Sequence, residues 1–197
     1  MKVGLIVEGH GEVQSAPHLV RRILRELAPE SSPFILPPHR VPRGQLTKEE
    51  GLKNAIEFMA RKVGDKGRIL LLLDADDDLP CVLGPRLLAL ARGFRPDRDI
   101  SVVVAKREYE AWFLTAAESL RGRRGLPEDL APPAAPETIR DAKGWLSQYM
   151  SDGYRETIDQ PALTSIFDLT TARRADSFDK LFREVGRLFG LSVPPRP

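Results

Sequence analysis

Hydrophobic positions in this chain follow two recurring patterns. Short, nearly continuous apolar runs at Val3–Val7, Arg68–Leu73 and Ile100–Ala105 read as buried strands. Between them, apolar residues recur three and four positions apart. Leu19, Ile23 and Leu27 stripe a helix over 12–28, closed by the proline and serine of 29–33. Leu52, Ile56, Met59 and Val63 stripe another, opened by Thr47-Lys48-Glu49-Glu50, in which the threonine and the third-following glutamate spell a capping box. Residues 81–94 and Tyr109–Leu120 predict two more helices. Phe34–Val41 has strand character, but Pro37 and Pro38 demote it to an edge or irregular segment.

Strand and helix thus alternate through residues 1–120, which predicts an α/β domain built on a mostly parallel sheet covered on both faces. Residues 121–137, rich in arginine, glycine, proline and alanine, read as a linker or long loop. Beyond it, 138–150, 160–170 and 176–190 have helical patterning and SVPPRP reads as a loose tail. The expected plan is therefore a 1–120 α/β domain with a small helical extension, 121–197, packed on it.

Composition narrows the classes. With 197 residues, 42% hydrophobic and 29% charged, the chain is long enough to bury a core of its own. A formal net charge of +2 leaves no broad basic footprint for non-specific nucleic-acid binding. A single cysteine, Cys81, excludes an internal disulfide and fits a reducing, cytoplasmic setting. The first residues do not read as a signal peptide, and no apolar run reaches the ~18 residues of a membrane span.

Candidate chemistry lies at the strand ends, where parallel α/β sheets place their ligands. Glu8 follows the first strand, with Glu12 at the start of the next helix. Asp74 ends the leucine strand and Asp76, Asp77 and Asp78 come directly after. Glu108 and Glu110 follow the third strand. Carboxylates gathered on one rim raise one another's pKa unless protonated or bridged by a cation, and hard oxygen donors suit Mg²⁺ or Mn²⁺. If Asp74-Ala75-Asp76 is extended, its two carboxylates point to similar sides and are able to share an ion. Asp77 is then the outsider, while Asp78 reads either as a ligand or as part of the Asp-Leu-Pro helix entry. Glu110 reads either as a dipole partner of its helix or as a metal ligand.

The pairing of LIVEG at 5–9 with LLLDAD at 71–76 resembles the Toprim domain of topoisomerases, primases, recombination proteins and overcoming-lysogenization-defect nucleases. The longer set IVEGHGE, LLLDADDD, REYEAWFL at 107–114, TIDQPALT at 157–164 and DSFDKLFREV at 176–185 is similar to a bacterial Toprim-like family of unknown function numbered 4276. The resemblance implies a Toprim/Rossmann-like sheet, with Glu8 as general acid/base or metal ligand, Asp74 and Asp76 as metal ligands, and Glu12 as the second glutamate of two-metal nucleases. No tyrosine matches a topoisomerase nucleophile, and no Gly-x-x-x-x-Gly-Lys-Ser/Thr is present for an ATPase motor.

Other residues have two readings each. Gly9 and Gly11 allow a tight turn, and His10 between them is a turn residue or a phosphate contact. Arg43 and Lys48, with His39 and Arg40, form a basic loop that is a solvated connection or a phosphate clamp. Lys106 and Arg107 are placed to contact phosphate on the same rim. Arg173 and Arg174 read as surface residues, and Trp112, Phe113, Trp145, Phe178 and Phe182 as core. The expectation is an Mg²⁺- or Mn²⁺-dependent phosphodiester hydrolase acting on DNA or RNA. The alternatives are a non-catalytic metal- or nucleotide-binding module serving a protein partner, or self-associating, and, ranked third, a haloacid-dehalogenase-like phosphatase.

Overall fold

A computed structural model describes residues 2–30 and 32–196; Met1, Ser31 of the expected helix-closing run, and Pro197 of the expected tail lie outside them. The strands are β1 (Lys2–Val7), β2 (Phe34–Ile35), β3 (His39–Arg40), β4 (Arg68–Asp74) and β5 (Asp99–Ala105), all paired in parallel. Their order is β2-β1-β4-β5, with β3 pairing further along β1. β2 and β3 are the two halves of one edge, broken at Pro37 and Pro38. Leu36 N–H donates to Val3 and Val41 N–H to Val7, so pairing resumes once the prolines are passed.

Period-2 alternation divides the strand side chains between two apolar layers. Ile6, Ile69, Leu71, Leu73, Ile100, Val102 and Val104 pack under α3 (Glu49–Val63) and α4 (Pro80–Phe94). Val3, Leu5, Val7, Leu70, Leu72, Val103 and Ala105 pack on the opposite face under α1 (Glu12–Leu27) and α9 (Asp176–Phe189). The α/β class with a parallel sheet between helices is therefore as the sequence predicts. The short helix α2 (Arg43–Leu46) precedes α3, and α5 (Ala111–Thr115), α6 (Ala142–Tyr149), α7 (Glu156–Thr164) and α8 (Leu169–Ala172) complete the chain.

The C-terminal residues supply much of one layer of this core. Phe167, Phe178, Phe182, Leu181 and Val185 are buried against Trp112 and Phe113, and α7 lies along α1. The 121–137 stretch is tied in as well: Leu126 and Leu130 are buried, and Glu137 accepts from the N–H groups of Asp176 and Ser177 at the start of α9.

Several local expectations need correction. Thr47 and Glu50 form no capping box, because the Thr47 hydroxyl donates to the Arg43 carbonyl at 2.9 Å, closing α2, and Lys48 becomes the residue before α3. The helix expected over Tyr109–Leu120 stops at Thr115 and continues as a 3-10 turn over Ala117–Leu120. Arg173 is buried beside Asp179 at 2.8 Å and over the Phe182 ring, where the aromatic face and carboxylate offset its desolvation. The tail to Arg196 is anchored: Arg173 donates to the Pro194 carbonyl and Arg196 pairs with Asp176. No helix among the described residues is long and apolar enough to cross a membrane.

Candidate active site

β1 and β4 are neighbours in the sheet, yet the chain leaves β1 for β2 on one side and returns to β4 on the other. The crevice at the carboxyl ends of two such strands is the place where parallel sheets bind ligands. Glu8 leaves β1 there and Asp74 ends β4, and Glu8 Oε2 accepts the Asp74 N–H at 3.3 Å. Glu12, at the start of α1, turns back so that Oε2 accepts the Gly9 N–H at 2.5 Å. Glu12 is thus positioned by the backbone of the turn, and Glu8 by the backbone at the end of β4.

Glu110 enters the same crevice from the end of β5 and is wholly buried. Its Oε1 accepts from the Tyr154 hydroxyl at 2.8 Å and from Gln160 Nε2 at 3.0 Å, while its Oε2 is buried with no partner among the described residues. Asp74 Oδ1 accepts the Tyr109 N–H at 2.9 Å. Lys143 of α6 brings an ammonium whose charge acts on Glu8, Glu12, Asp74 and Glu110. The Lys143 N–H donates to Glu108 at 3.2 Å, so Glu108 helps hold the start of α6. Glu156 completes the arrangement, with Oε2 2.9 Å from Lys143 Nζ and Oε1 accepting the Gly11 N–H at 2.9 Å.

Burial and mutual repulsion set the protonation behaviour. Burial pushes the Glu12 carboxyl up to about 7, with the charges of Glu110 and Glu8 acting in the same direction. Burial likewise lifts Asp74 well above the usual carboxylate range, reinforced by Glu12, Glu110 and Glu8. Glu8, Glu108 and Glu110 are raised by burial too. Burial opposes the Lys143 charge, but Glu110, Glu156 and Asp74 outweigh it and hold the ammonium more firmly than in water. Glu156 is lowered despite burial, because the Gly11 N–H and Lys143 favour its charged form.

The aspartates after Asp74 are instead held by arginines, although the Asp76 charge still acts on Glu8. Asp76 has a left-handed backbone (φ 50°), so the extended geometry that would align it with Asp74 is absent. Its N–H donates to the carbonyl of Arg107, itself at φ 65°. Arg43 reaches from α2 to the carbonyls of Asp74 and Ala75, to Asp76 Oδ2 at 3.1 Å, and to the Asp78 carboxylate. Asp77 is paired with Arg107 at 2.5 Å and Arg140 at 3.1 Å. Of the expected phosphate-binding residues, Arg43 and Arg107 are engaged with these aspartates, His10 and Lys48 are exposed, and Lys106 makes no ion pair among the described residues.

Among the described residues, no three histidine, cysteine, aspartate or glutamate side chains converge closely enough to hold a metal ion as they lie. The donor chemistry nonetheless fits a hard divalent cation. Four carboxylates face one ammonium, their ionised forms are disfavoured by burial, and Glu110 Oε2 has an unspent acceptor.

The family model described as "Domain of unknown function (DUF4276)" matches residues 7–186. The chain belongs to that family. No curated protein and no solved structure matches it. In this DUF4276 chain, the match runs from the last residue of β1 into α9 and so includes every residue of the crevice.

Sequence reasoning singled out Glu8, Glu12, Asp74 and Glu110 but not their partners Lys143, Tyr154, Glu156 and Gln160. Gln160 lies inside the TIDQPALT segment, and Glu156 directly before it, so that segment carried a signal. Lys143 had none, since a lysine on a short amphipathic helix ordinarily faces solvent.

Proposed function

We propose that the chain is an Mg²⁺- or Mn²⁺-dependent phosphodiester hydrolase acting on nucleic acid. The reading rests on one observation: Glu8, Glu12, Asp74 and Glu110 gather around the carboxyl ends of β1, β4 and β5, where Glu110 Oε2 is buried without a partner among the described residues. The resemblance of the Glu8 and Asp74-x-Asp76 segments to Toprim domains supports the same reading.

Asp74, Glu8 and Glu110 would hold the cation, which when bound offsets their charge and stabilises negative charge developing on a phosphoryl oxygen. Glu12, with its carboxyl at about 7, takes up or releases a proton near neutrality, as a general acid/base requires. Lys143 supplies positive charge to an anionic substrate entering between the carboxylates, and Glu156 fixes its ammonium against the Gly9–Gly11 turn. Asp76 joins only if Arg43 releases it. That contact favours the second reading, a metal- or nucleotide-binding module without turnover.

The test is cleavage of supercoiled plasmid and of labelled single-stranded RNA with Mn²⁺, alongside the thermal midpoint with and without Mn²⁺. Wild type should cleave one substrate and gain thermal stability from Mn²⁺, and Asp74→Asn should lose both. A midpoint shift without cleavage supports the module reading. Absence of both rejects a cation site.

A further inference from the structure

β5 ends the sheet on the side away from β2, and its outer edge opens into a groove of about 490 Å³. One wall is the apolar stripe Pro80, Gly84, Pro85 and Leu88 of α4; the other is α9, with Asp176, Lys180 and Arg183. The groove therefore occupies the position of a sixth strand, between the two helical layers. The Ala105 carbonyl points inward and accepts from Ala75, whereas the Ile100 carbonyl points outward to Arg187. Alternation along the strand then turns the N–H and C=O groups of Val102 and Val104 into the groove. Neither residue makes a hydrogen bond outside the sheet ladder to any described residue. Arg187, which also bonds Ser101 Oγ at 2.7 Å, closes the groove at its Ile100 end.

We propose that this edge receives an extended peptide segment of a partner protein, alternating apolar and acidic residues, which adds to β5 as a short strand. Main-chain hydrogen bonds to Val102 and Val104 supply the affinity, and the α4 stripe takes the apolar side chains. The acidic preference comes from the rim. Among the described residues Lys106 makes no ion pair, and Lys180 and Arg183, along the α9 wall, each pair with one carboxylate of their own helix. The acid on that rim, Asp176, is engaged by Arg196. A second copy of the chain fits less well. α4 and α9 overhang β5 so far that Val102 and Val104 are 4% and 5% exposed, and a β5 carrying its own pair of helices would meet those overhangs first.

The probe is a fluorescein-labelled heptapeptide of alternating glutamate and valine, titrated by anisotropy, with hydrogen exchange followed at the Val102 and Val104 amides. Expected are saturable binding, at least tenfold weaker for the lysine–valine counterpart, and at least tenfold slower exchange at those two amides. Gly84→Tyr should weaken binding at least tenfold without unfolding the helix. A Cβ there meets Val104 Cγ2 at an ordinary 3.5 Å, and the ring beyond it fills the groove. Should that variant not fold, Lys180→Glu is expected to weaken the glutamate peptide selectively. Absence of saturable binding, or binding that leaves the two amides unchanged, overturns the proposal. So does displacement of the peptide by an oligonucleotide. Concentration-dependent protection with a dimer in sedimentation overturns it in favour of self-association.

Discussion

Lys143 and Glu156 form an ion pair of 2.9 Å that ties α6 to the first turn of the chain, because the second oxygen of Glu156 accepts the Gly11 N–H. One ammonium thereby stands among carboxylates delivered by three different strands.

Replacing that ammonium tests its share of the balance. Lys143→Met should lower the thermal midpoint more at pH about 8 than at about 5, since protonated carboxylates need no counter-charge. The Lys143 side chain is 39% exposed, so screening by water limits the loss to about 1 kcal/mol. Thermal melts at the two pH values check it, and an equal loss at both would remove the electrostatic role.

The raised Glu12 carboxyl makes stability depend on pH with a definite sign. Between its ordinary 4.5 and its folded value of about 7, the folded chain keeps a proton that the unfolded chain releases. Stability from this group is therefore complete below about 4.5 and lost as pH rises through about 7. In metal-free buffer the midpoint should fall across that window, by an amount corresponding to at most about 3 kcal/mol. Glu12→Gln should flatten the profile in thermal melts recorded across it.

Glu110→Gln separates electrostatic cost from function. The amide still accepts from Tyr154 and Gln160 while removing a buried like charge. The metal-free midpoint at pH about 8 should rise by roughly 2–4 °C, or about 1 kcal/mol. The same variant should lose the Mn²⁺-induced midpoint shift. A wild-type shift in the variant would take Glu110 out of the proposed cation site.

Two glycines near Arg43 predict opposite signs. Gly44 in α2 has open space beyond it, so Gly44→Ala should stabilise by about 0.5–1 kcal/mol. At Gly51 a Cβ would press into the Gln45 carbonyl, which is backbone and unable to rotate away. Gly51→Ala should therefore destabilise by about 1–2 kcal/mol despite its better helix propensity. Urea titrations of both variants measure the difference.

Before any tertiary contact is considered, the apolar runs and their spacing determine three parallel strands, a proline-broken edge and the helices that cover them. Burying a strand on both faces demands a nearly continuous apolar run, which is visible in one dimension. The same logic exposed Glu8, Glu12, Asp74 and Glu110, because strand order brings carboxyl ends together. Tertiary structure decided the rest. A left-handed backbone at Asp76 turned its carboxylate toward Arg43, and no local pattern specifies that choice. Packing of α6 and α7 carried Lys143, Tyr154, Glu156 and Gln160 into the crevice, although each lies more than 30 residues beyond Glu110 in the chain. Burial then lifted the carboxyl pKa values, an effect of the dielectric around a group and not of its neighbours in sequence.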